Sequence, residues 1–598
     1  NDEIQDLVSS MSLPRGLSSS CNGDGECMDE LAYFLNNTDQ ASSHVGSQSV
    51  TTYTIGGFDL EEGVELLKRT ASFGGGQYYE ANDTAGLSTA LESIFLDILA
   101  TDSTFTAPAV SVNAFNSSQH SDLLYYALFK PNDNVKWDGN LKKYRLDNDG
   151  IVVDANGDVA VSESSGYFNE GIFDFWNATD YADGDDVTLG GFANLFSPEG
   201  RVIYSESGGS LQNFSSVVNR TTLDMAANTD DEVNTVINWA IGYDVDDADG
   251  DGSEIDSRYQ IGDPLHSAPV VVTYGGSESD PDATIFFGTN EGFIHALDAD
   301  TGAEQFAFIP SELHENLPIY YNNTQAASDK PYGMDGQITT WMYDLNNNNV
   351  ILDGSGSIES GEHLYLYAGM RRGGNNYYGL DISNRASPSL LFTIKGGEDD
   401  YTKLGQSWGR ATVAKVKFAG ESRFVLLIPG GYDTNQDANN VAEEDAIGNA
   451  IYMVDAATGE RLWWASATGA NLNISSMVNS IPASLSAIDI SGDGHVDYFF
   501  AADMGGRVFR VDINPNNTGP GDFAVGGAIA SLSGESNTDN RRFYNKPNVS
   551  LVKDKQYGDY LTIALGSGHR AHPIYTTDVE NRFYVLKDFN PYSVPSSY

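Results

Sequence analysis

Basic residues are scarce in this chain. Its 598 residues hold 32 Lys and Arg against 85 Asp and Glu, a formal net charge of −53. A field of that sign repels phosphate backbones and anionic lipid and attracts divalent cations, which argues against nucleic-acid binding. Cysteine is scarcer still, with only Cys21 and Cys27, in CNGDGEC. Two thiols alone cannot make a zinc site. Six residues apart, they can close a small loop, and a lone pair suits an oxidising compartment, so a Cys21–Cys27 disulfide is expected. No run of about 18 or more apolar residues occurs, so no helical membrane span is expected. The opening NDEIQDLVSS has neither an initiator Met nor a basic stretch, and reads as an interior segment of a longer, processed protein.

Helical patterning belongs to the first hundred residues. SVTTYTIGGF reads as a strand, DLEEGVELLKRTASFGGG as an amphipathic helix ending in glycines, and QYYEA as a second strand. NDTAGLSTALESIFLDILA places Leu87, Leu91, Ile94, Phe95 and Ile98 on one helical face. This alternation predicts a parallel sheet, and residues 1–102 are taken as an α/β domain.

Residues 103–598 have another texture: short β-branched and aromatic runs broken by Gly, Asn, Asp and Pro, with helices nearly absent. A unit recurs in which a glycine or asparagine opens an apolar alternation that closes on a turn residue. It appears as GNLKKYRLDNDG, GRVIYSESGG, GFIHALDADTG, NYYGLDISN, NAIYMVDAATG, GRVFRVDINP and NRFYVLKDFNP. The turn residues are Asp147, Ser205, Asp298, Asp381, Asp455, Asp512 and Lys587–Asp588. The units lie further apart than the roughly 40 to 50 residues of a four-stranded blade, so long inserted loops are expected. Seven such units predict a mainly β fold, a propeller that hides its edges by radial repetition. A sandwich or parallel β-helix is the alternative, and the irregular spacing disfavours the β-helix.

AIDISGDGHVDYFFAAD crowds three carboxylates into nine residues between two strand-like runs. Asp489, Ser491, Asp493 and Asp497 fit the first nine positions of an EF-hand-type loop, with Gly494 at the bend and the His495 carbonyl as a further ligand. Ca²⁺ takes six to eight hard oxygens, and alternate positions converge where glycine permits a sharp turn. Phe500 stands where the bidentate glutamate would fall, so water or a neighbouring loop must complete the shell. The competing reading is an Asx-rich hairpin in which Asp and Gly serve only backbone geometry. Asp247, Asp249, Asp251 and Ser253, with Gly252, form a second, tentative calcium set. Asp344, Asn346 and Asn348 are a weaker one, because carboxamides bind hard cations less well.

Other residues draw structural readings. Asp353, Ser355 and Ser357 in VILDGSGS match a metal motif of von Willebrand A-type domains by coincidence, since that motif must end such a domain's first strand. His266 in GDPLHSAP has no nucleophile and acid at recognisable spacing and is read as a loop-bonding histidine. His569 and His572 are thin evidence for a metal, and Trp463 and Trp464 are expected to pack between blades.

The blocks TFTAPAVSVNAF, WDGNLKKYRLD, IGDPLHSAPVVV, FGTNEGFIHALDADTGAE, GNAIYMVDAATGERLWW, DMGGRVFRVDI and ALGSGHRAHP resemble the PilC/PilY family of type IV pilus biogenesis proteins. The resemblance runs over nearly the whole chain. It implies a C-terminal modified seven-bladed propeller bearing a calcium loop. Before it stands a von Willebrand A-type domain, of which residues 1–102 look like the C-terminal half and Cys21–Cys27 the cysteine-bearing insertion. The propeller looks truncated near its C-terminus. The implied role is a non-enzymatic, pilus-tip-associated adhesin and biogenesis factor. It would contact minor pilins and a surface or host receptor, act outside the cell or at its outer surface, and regulate extension and retraction through Ca²⁺. Two alternatives are a quinoprotein-like propeller dehydrogenase, suggested by the DADTG and DAATG units, and a calcium-stabilised scaffold of unknown ligand.

Overall fold

The computed structural model describes residues 27–38, 50–57, 63–81, 105–112 and 120–598, with residue 17 and scattered positions from 86 to 94. Within 120–598 it leaves out 163–167, 170, 178–180, 249, 278–279, 439–442, 535, 557 and 574–578. Two compact units emerge, Asn1–Ser103 and Thr104–Tyr598.

In the first unit, helix α1 (Met28–Asn37) precedes strand β1 (Thr52–Gly57), helix α2 (Val64–Phe73) and strand β2 (Gly75–Ala81). β1 and β2 pair in parallel, as a strand–helix–strand crossover requires. Thr54 Oγ1 donates to the Leu67 carbonyl at 2.8 Å and so ties strand to helix. Gly74 ends α2 by donating to the Thr70 and Ala71 carbonyls. Gly86, Leu87, Ala90, Leu91 and Ile94 are helical, and the rest of the helix expected there lies outside the described residues. A two-stranded parallel sheet is common to many folds, so the A-type assignment rests on the sequence resemblance.

The second unit is built of antiparallel sheets. β3 (Phe105–Val112), β4 (His120–Lys130), β5 (Asp138–Leu146) and β6 (Val152–Val153) make the first, with β9 (Ile261–Gly262) also pairing with β5. The second contains β10 (Val270–Ser277), β11 (Asp280–Gly288), β12 (Ile294–Asp298) and β13 (Glu304–Phe308). The third runs through β14 (Ile338–Tyr343), β15 (His363–Gly369), β16 (Tyr377–Asp381) and β17 (Ser389–Ile394). The fourth runs through β18 (Thr412–Phe418), β19 (Glu421–Pro429), β20 (Ala450–Asp455), β21 (Arg461–Ser466) and β22 (Leu472–Asn473). β23 (Ser486–Ile488), β24 (Tyr498–Ala502), β25 (Arg507–Ile513) and β26 (Ala524–Ser531) form the fifth. β27 (Asn548–Val552), β28 (Tyr560–Gly566) and β29 (Phe583–Asp588) form the sixth.

First strands of successive sheets lie side by side: β3 beside β10, β10 beside β14, β14 beside β18. Sheets stacked through their first strands radiate from an axis, which is propeller geometry. Strand alternation sends each blade's core to both neighbours. Along β11, Ile285 and Phe287 face the cluster of Leu141 and Trp176, while Phe286 joins Ile338 and Leu364. β19 repeats this, with Leu426 and Ile428 against Tyr367 and Tyr377, and Val425 and Leu427 against Phe499 and Phe509.

A backbone belt joins the blades where each second strand turns into its third. Met334, entering the third blade, donates its N–H to the Thr289 carbonyl of the second blade's turn at 3.0 Å. Arg371 donates to Ser407 at 3.2 Å, Gly431 to Ile481 at 3.0 Å and Phe543 to Asp503 at 3.3 Å. Glycine is required where these segments meet. A side chain at Gly373 would collide with the Gly333 carbonyl.

Among the described residues this unit has six sheets, and the seven-unit reading differs in one place. GRVIYSESGG folds as β7 (Ile203–Ser207) and β8 (Ser210–Asn213) without opening a blade of its own. β7 pairs in parallel with β13 and extends the second sheet to six strands. The insertion after it also holds helix Asp230–Ile241, absent from the sequence reading. Its signals were present: a Thr229–Glu232 capping box and Gly242 just past the end.

The Asp-ended repeats have a physical cause. Asp298 Oδ1 accepts the N–H groups of Asp300 and Thr301, and Asp455 Oδ1 those of Ala457 and Thr458. Each carboxylate thereby holds the turn after its blade's third strand. Trp463 is 1% exposed and meets Phe523 edge-on at 5.3 Å, across the seam between the fourth and fifth blades. Trp464 instead stacks on Tyr452 within its own sheet, at 6.0 Å. We expect Trp463→Ala to lower unfolding stability by about 3–5 kcal/mol and Trp464→Ala by clearly less, measured by chemical denaturation.

Candidate functional site

The loop Asp489–Asp497 joins β23 to β24, the first and second strands of the fifth blade. Asp489 organises it: Oδ1 accepts the Gly492 N–H at 2.7 Å and the Ser491 hydroxyl at 3.2 Å, and Oδ2 accepts the Gly494 N–H at 2.8 Å. Asp497 Oδ2 closes the other side on the N–H groups of Ile490 and Ser491, at 2.9 and 2.8 Å. Asp493 points outward, 3.0 Å from the Lys417 ammonium of β18. The lysine, then the His495 N–H, hold the Asp493 carboxyl well below the usual carboxylate range. His495 bonds Asp493 Oδ1 through Nδ1 at 3.1 Å and Ser422 Oγ through Nε2 at 2.7 Å. The Val496 N–H reaches the Lys415 carbonyl at 2.8 Å. This loop therefore clasps the fourth blade as well as its own.

The structure brings all five expected ligands into one turn. Their donor set, three carboxylates, a hydroxyl and a carbonyl, is the hard-oxygen chemistry that Ca²⁺ takes. As placed, the oxygens are turned to loop amides and to Lys417. Among the described residues, no three Asp, Glu, His or Cys side chains converge tightly enough to hold a metal ion together. An ion at this loop requires Asp493 to leave the lysine.

The tentative second set is organised as turns. Asp247, at φ 49°, accepts the Gly252 N–H at 2.9 Å, and Asp251 that of Ser253 at 2.8 Å. Asp249 lies outside the described residues. Asp344 likewise accepts the Asn347 and Asn349 N–H groups, both at 2.7 Å, in the hairpin between β14 and β15. Asp353 is bound up with Ser355 and Ser357 in the following turn. Cys27, which precedes α1, is disulfide-bonded; its expected partner Cys21 lies outside the described residues.

Sequence reasoning missed a second constellation, at the belt end of the blades near the axis. His266 from the second blade sets Nδ1 2.8 Å from Asp335 Oδ1 in the third. Arg371 bonds Asp335 Oδ2 at 2.9 Å and places its guanidinium 4.3 Å over the Trp408 ring. Arg372 takes Asp437 bidentately, at 3.0 and 2.8 Å, and lies 5.0 Å over the same ring. Trp408 stacks on Tyr432 at 4.1 Å, and Tyr544 from the sixth blade lies 6.0 Å away. His569 and His572 reach across to the backbone carbonyls of Gln436 and Asp437, at 3.2 and 2.8 Å. Blades far apart in sequence meet here because radial packing brings their loops together. His266 and the His569–His572 pair were visible in the sequence singly; their shared location was not.

Residues 256–537 match the family model described as the PilY1 beta-propeller domain. The type IV pilus biogenesis factor PilY1 of Pseudomonas aeruginosa is 24% identical over 261 residues, 42% of this chain and 19% of the relative. A homolog from Xylella fastidiosa is 23% identical over 418 residues, 64% of this chain and 26% of the relative. The chain thus spans about a fifth to a quarter of the curated relatives it matches. The crystal structure of the P. aeruginosa PilY1 C-terminal domain is 21% identical with a TM-score of 0.36, covering 52% of this chain and 58% of that one.

Desolvation first, then the nearby Arg542 guanidinium, pushes the His569 imidazole down to about 4. The folded state thus prefers the neutral ring. Its contribution is present above the unfolded value near 6.5 and is lost as pH falls toward 4. NMR titration should place the His569 midpoint near 4, and His569→Asn should soften the fall in melting temperature between pH 6.5 and 4. A midpoint above 6 would contradict the assignment. The disulfide has its own check: denatured, unreduced protein should take up no thiol label until reductant is added.

Proposed function

This chain is a PilY1-family protein, and we propose that it is a non-enzymatic factor of type IV pilus assembly and adhesion. It works outside the cell at the pilus tip or outer surface, against minor pilins and a surface or host receptor. The observation that carries this reading is the match of residues 256–537 to the PilY1 propeller domain, together with relatives named as type IV pilus biogenesis factors. Cells lacking the chain should lose surface pili and twitching, and the wild-type gene should restore both. Unchanged piliation in the deletion strain would refute the reading.

Within that role, Asp489–Asp497 is the calcium-responsive element. Asp489, Ser491, Asp493 and Asp497 would hold the ion with side-chain oxygens and His495 with its carbonyl. When bound, Ca²⁺ supplies positive charge between carboxylates that otherwise repel. The preformed turn around Asp489 favours this reading, since it already brings the five expected ligands into one short loop, whose carboxylates must turn from the loop amides to the ion. The lysine sets the threshold. Asp493 must exchange the Lys417 ammonium for the ion, and His495 and Val496 transmit the change to β18 and β19 across the seam. The loop touches the blade cores only through Ile490 and Val496 at their edges, so its order changes while the propeller stays folded.

Two substitutions separate these roles. Asp493→Ala should abolish calcium binding at this loop with nearly unchanged far-UV dichroism. Lys417→Ala should tighten it, because a competing cation is gone. In cells, the Asp493 change should shift the balance of pilus extension and retraction. Calorimetry showing unaltered stoichiometry and affinity in Asp493→Ala would reduce the loop to a structural turn.

A further inference from the structure

In a chain with 85 acidic residues and only 32 basic ones, the axial end of the blades gathers four arginines. Arg371 and Arg372 come from the second-to-third-strand turn of the third blade, Arg542 from the entry to the sixth, and Arg570 from the sixth blade's own turn. Arginine is the side chain that takes carboxylates as a fork, and Arg372 already does so with Asp437.

Some of this set has clear structural duties. Arg542 is 1% exposed and bonds Gln436 Oε1 at 3.0 Å. Asp445 sits behind it, its carboxylate accepting the Gln436 side chain at 2.8 Å and the Ser480 N–H at 2.6 Å. Arg371 carries a signature beyond structure. It is a non-glycine residue at φ 51°, a left-handed backbone that strains any side chain and collects at functional positions. Burial, together with the neighbouring Arg570 and Arg372 guanidiniums, works against its charge, and Asp335 alone offsets them. Positive charge is thus only partly relieved there.

Three groups around these arginines still have hydrogen-bonding capacity. Arg570 is exposed, sits 5.8 Å from the Tyr544 ring, and its guanidinium bonds the Asn545 side-chain oxygen at 3.2 Å. Among the described residues it meets no carboxylate. His266 Nδ1 stands within reach of both Asp335 and the Arg371 guanidinium and serves one of them at a time; its side chain is one-third exposed, and Nε2 remains for a ligand. Tyr332 is half-buried beside Asp335, Arg371 and Arg372, with no protein acceptor described for its hydroxyl. Trp408 offers no open stacking face, because Arg371 lies over it and Tyr432 stacks on it. The site therefore recognises charge and hydrogen bonding rather than a flat ring.

We propose that the axial end of the propeller, bounded by Arg570, His266 and Tyr332 over Arg371 and Arg372, is a binding site for a carboxylate-bearing ligand. Arg570 meets the carboxylate first, the His266 and Tyr332 edges complete its hydrogen bonds, and Arg371 and Arg372 supply charge from beneath. Acidic protein elsewhere repels such a ligand, so the site focuses it onto the axis. The inference stands apart from the calcium loop, which lies at the opposite ends of the strands. Two sources share this chemistry, an acidic segment of a partner protein and a small free polycarboxylic acid.

Calorimetry on the full 598-residue chain at low ionic strength tests it with three probes: a hexaglutamate peptide, a hexaglutamine peptide and succinate. We expect hexaglutamate to bind and hexaglutamine not to. Arg570→Ala should weaken binding at least tenfold, while Arg220→Ala, at a half-buried arginine paired with Asp230, should leave it intact. Thermal unfolding confirms that both variants are folded. Binding of succinate as well identifies a small acid as sufficient, and binding of the peptide alone identifies an acidic segment. The proposal is overturned if neither acidic probe binds, if hexaglutamine binds equally, or if Arg220→Ala weakens binding as much as Arg570→Ala.

Discussion

The belt of backbone hydrogen bonds between one blade's turn and the entry to the next is the constraint on which the propeller depends. Hydrophobic clusters press neighbouring sheets together, but apolar packing is non-directional and fixes no angle. The pairs Met334–Thr289, Arg371–Ser407, Gly431–Ile481 and Phe543–Asp503 set where each blade begins relative to the last. Buried N–H and C=O groups must find partners, and these pairings satisfy them between blades. The same pairings draw the turn loops toward the axis, so one constraint both spaces the sheets and creates a place where distant residues meet.

The repeats made much of the fold legible. A third strand ending in an aspartate that caps its own turn is a local event, and local events leave marks in sequence. Asp298, Asp381 and Asp455 end β12, β16 and β20, as their spacing had suggested. GRVIYSESGG carried a similar mark and yet built no blade. Whether a strand pair starts a sheet or joins one is decided by which edge is free, here that of β13, and that is not a property of the pair. The helix Asp230–Ile241 was legible in its caps but lay inside a region of β texture.

The candidate sites divide in the same way. All of Asp489–Asp497 lies in one stretch, so its run of oxygen-bearing side chains could be read directly, whereas Lys417 could not be named as the ion that Asp493 meets. Seventy-six residues separate the two, and only the stacking of the fourth and fifth blades brings them together. The arginine and histidine constellation was out of reach for the same reason. Its members come from the turns and strand entries of several blades, and each alone looks like an ordinary loop residue.

The belt is built almost entirely from main chain, and at Gly373 and Gly333 from residues with no side chain. Beyond the glycines it requires, an interface made of backbone carries little record of the side chains around it. The loops that spring from it can therefore exchange their chemistry, insertion by insertion, without renegotiating the joint between blades. The long, irregular connections of this chain are the outcome: a joint that is conservative in geometry frees its periphery to diversify, and what the protein recognises can change while its architecture stays as it is.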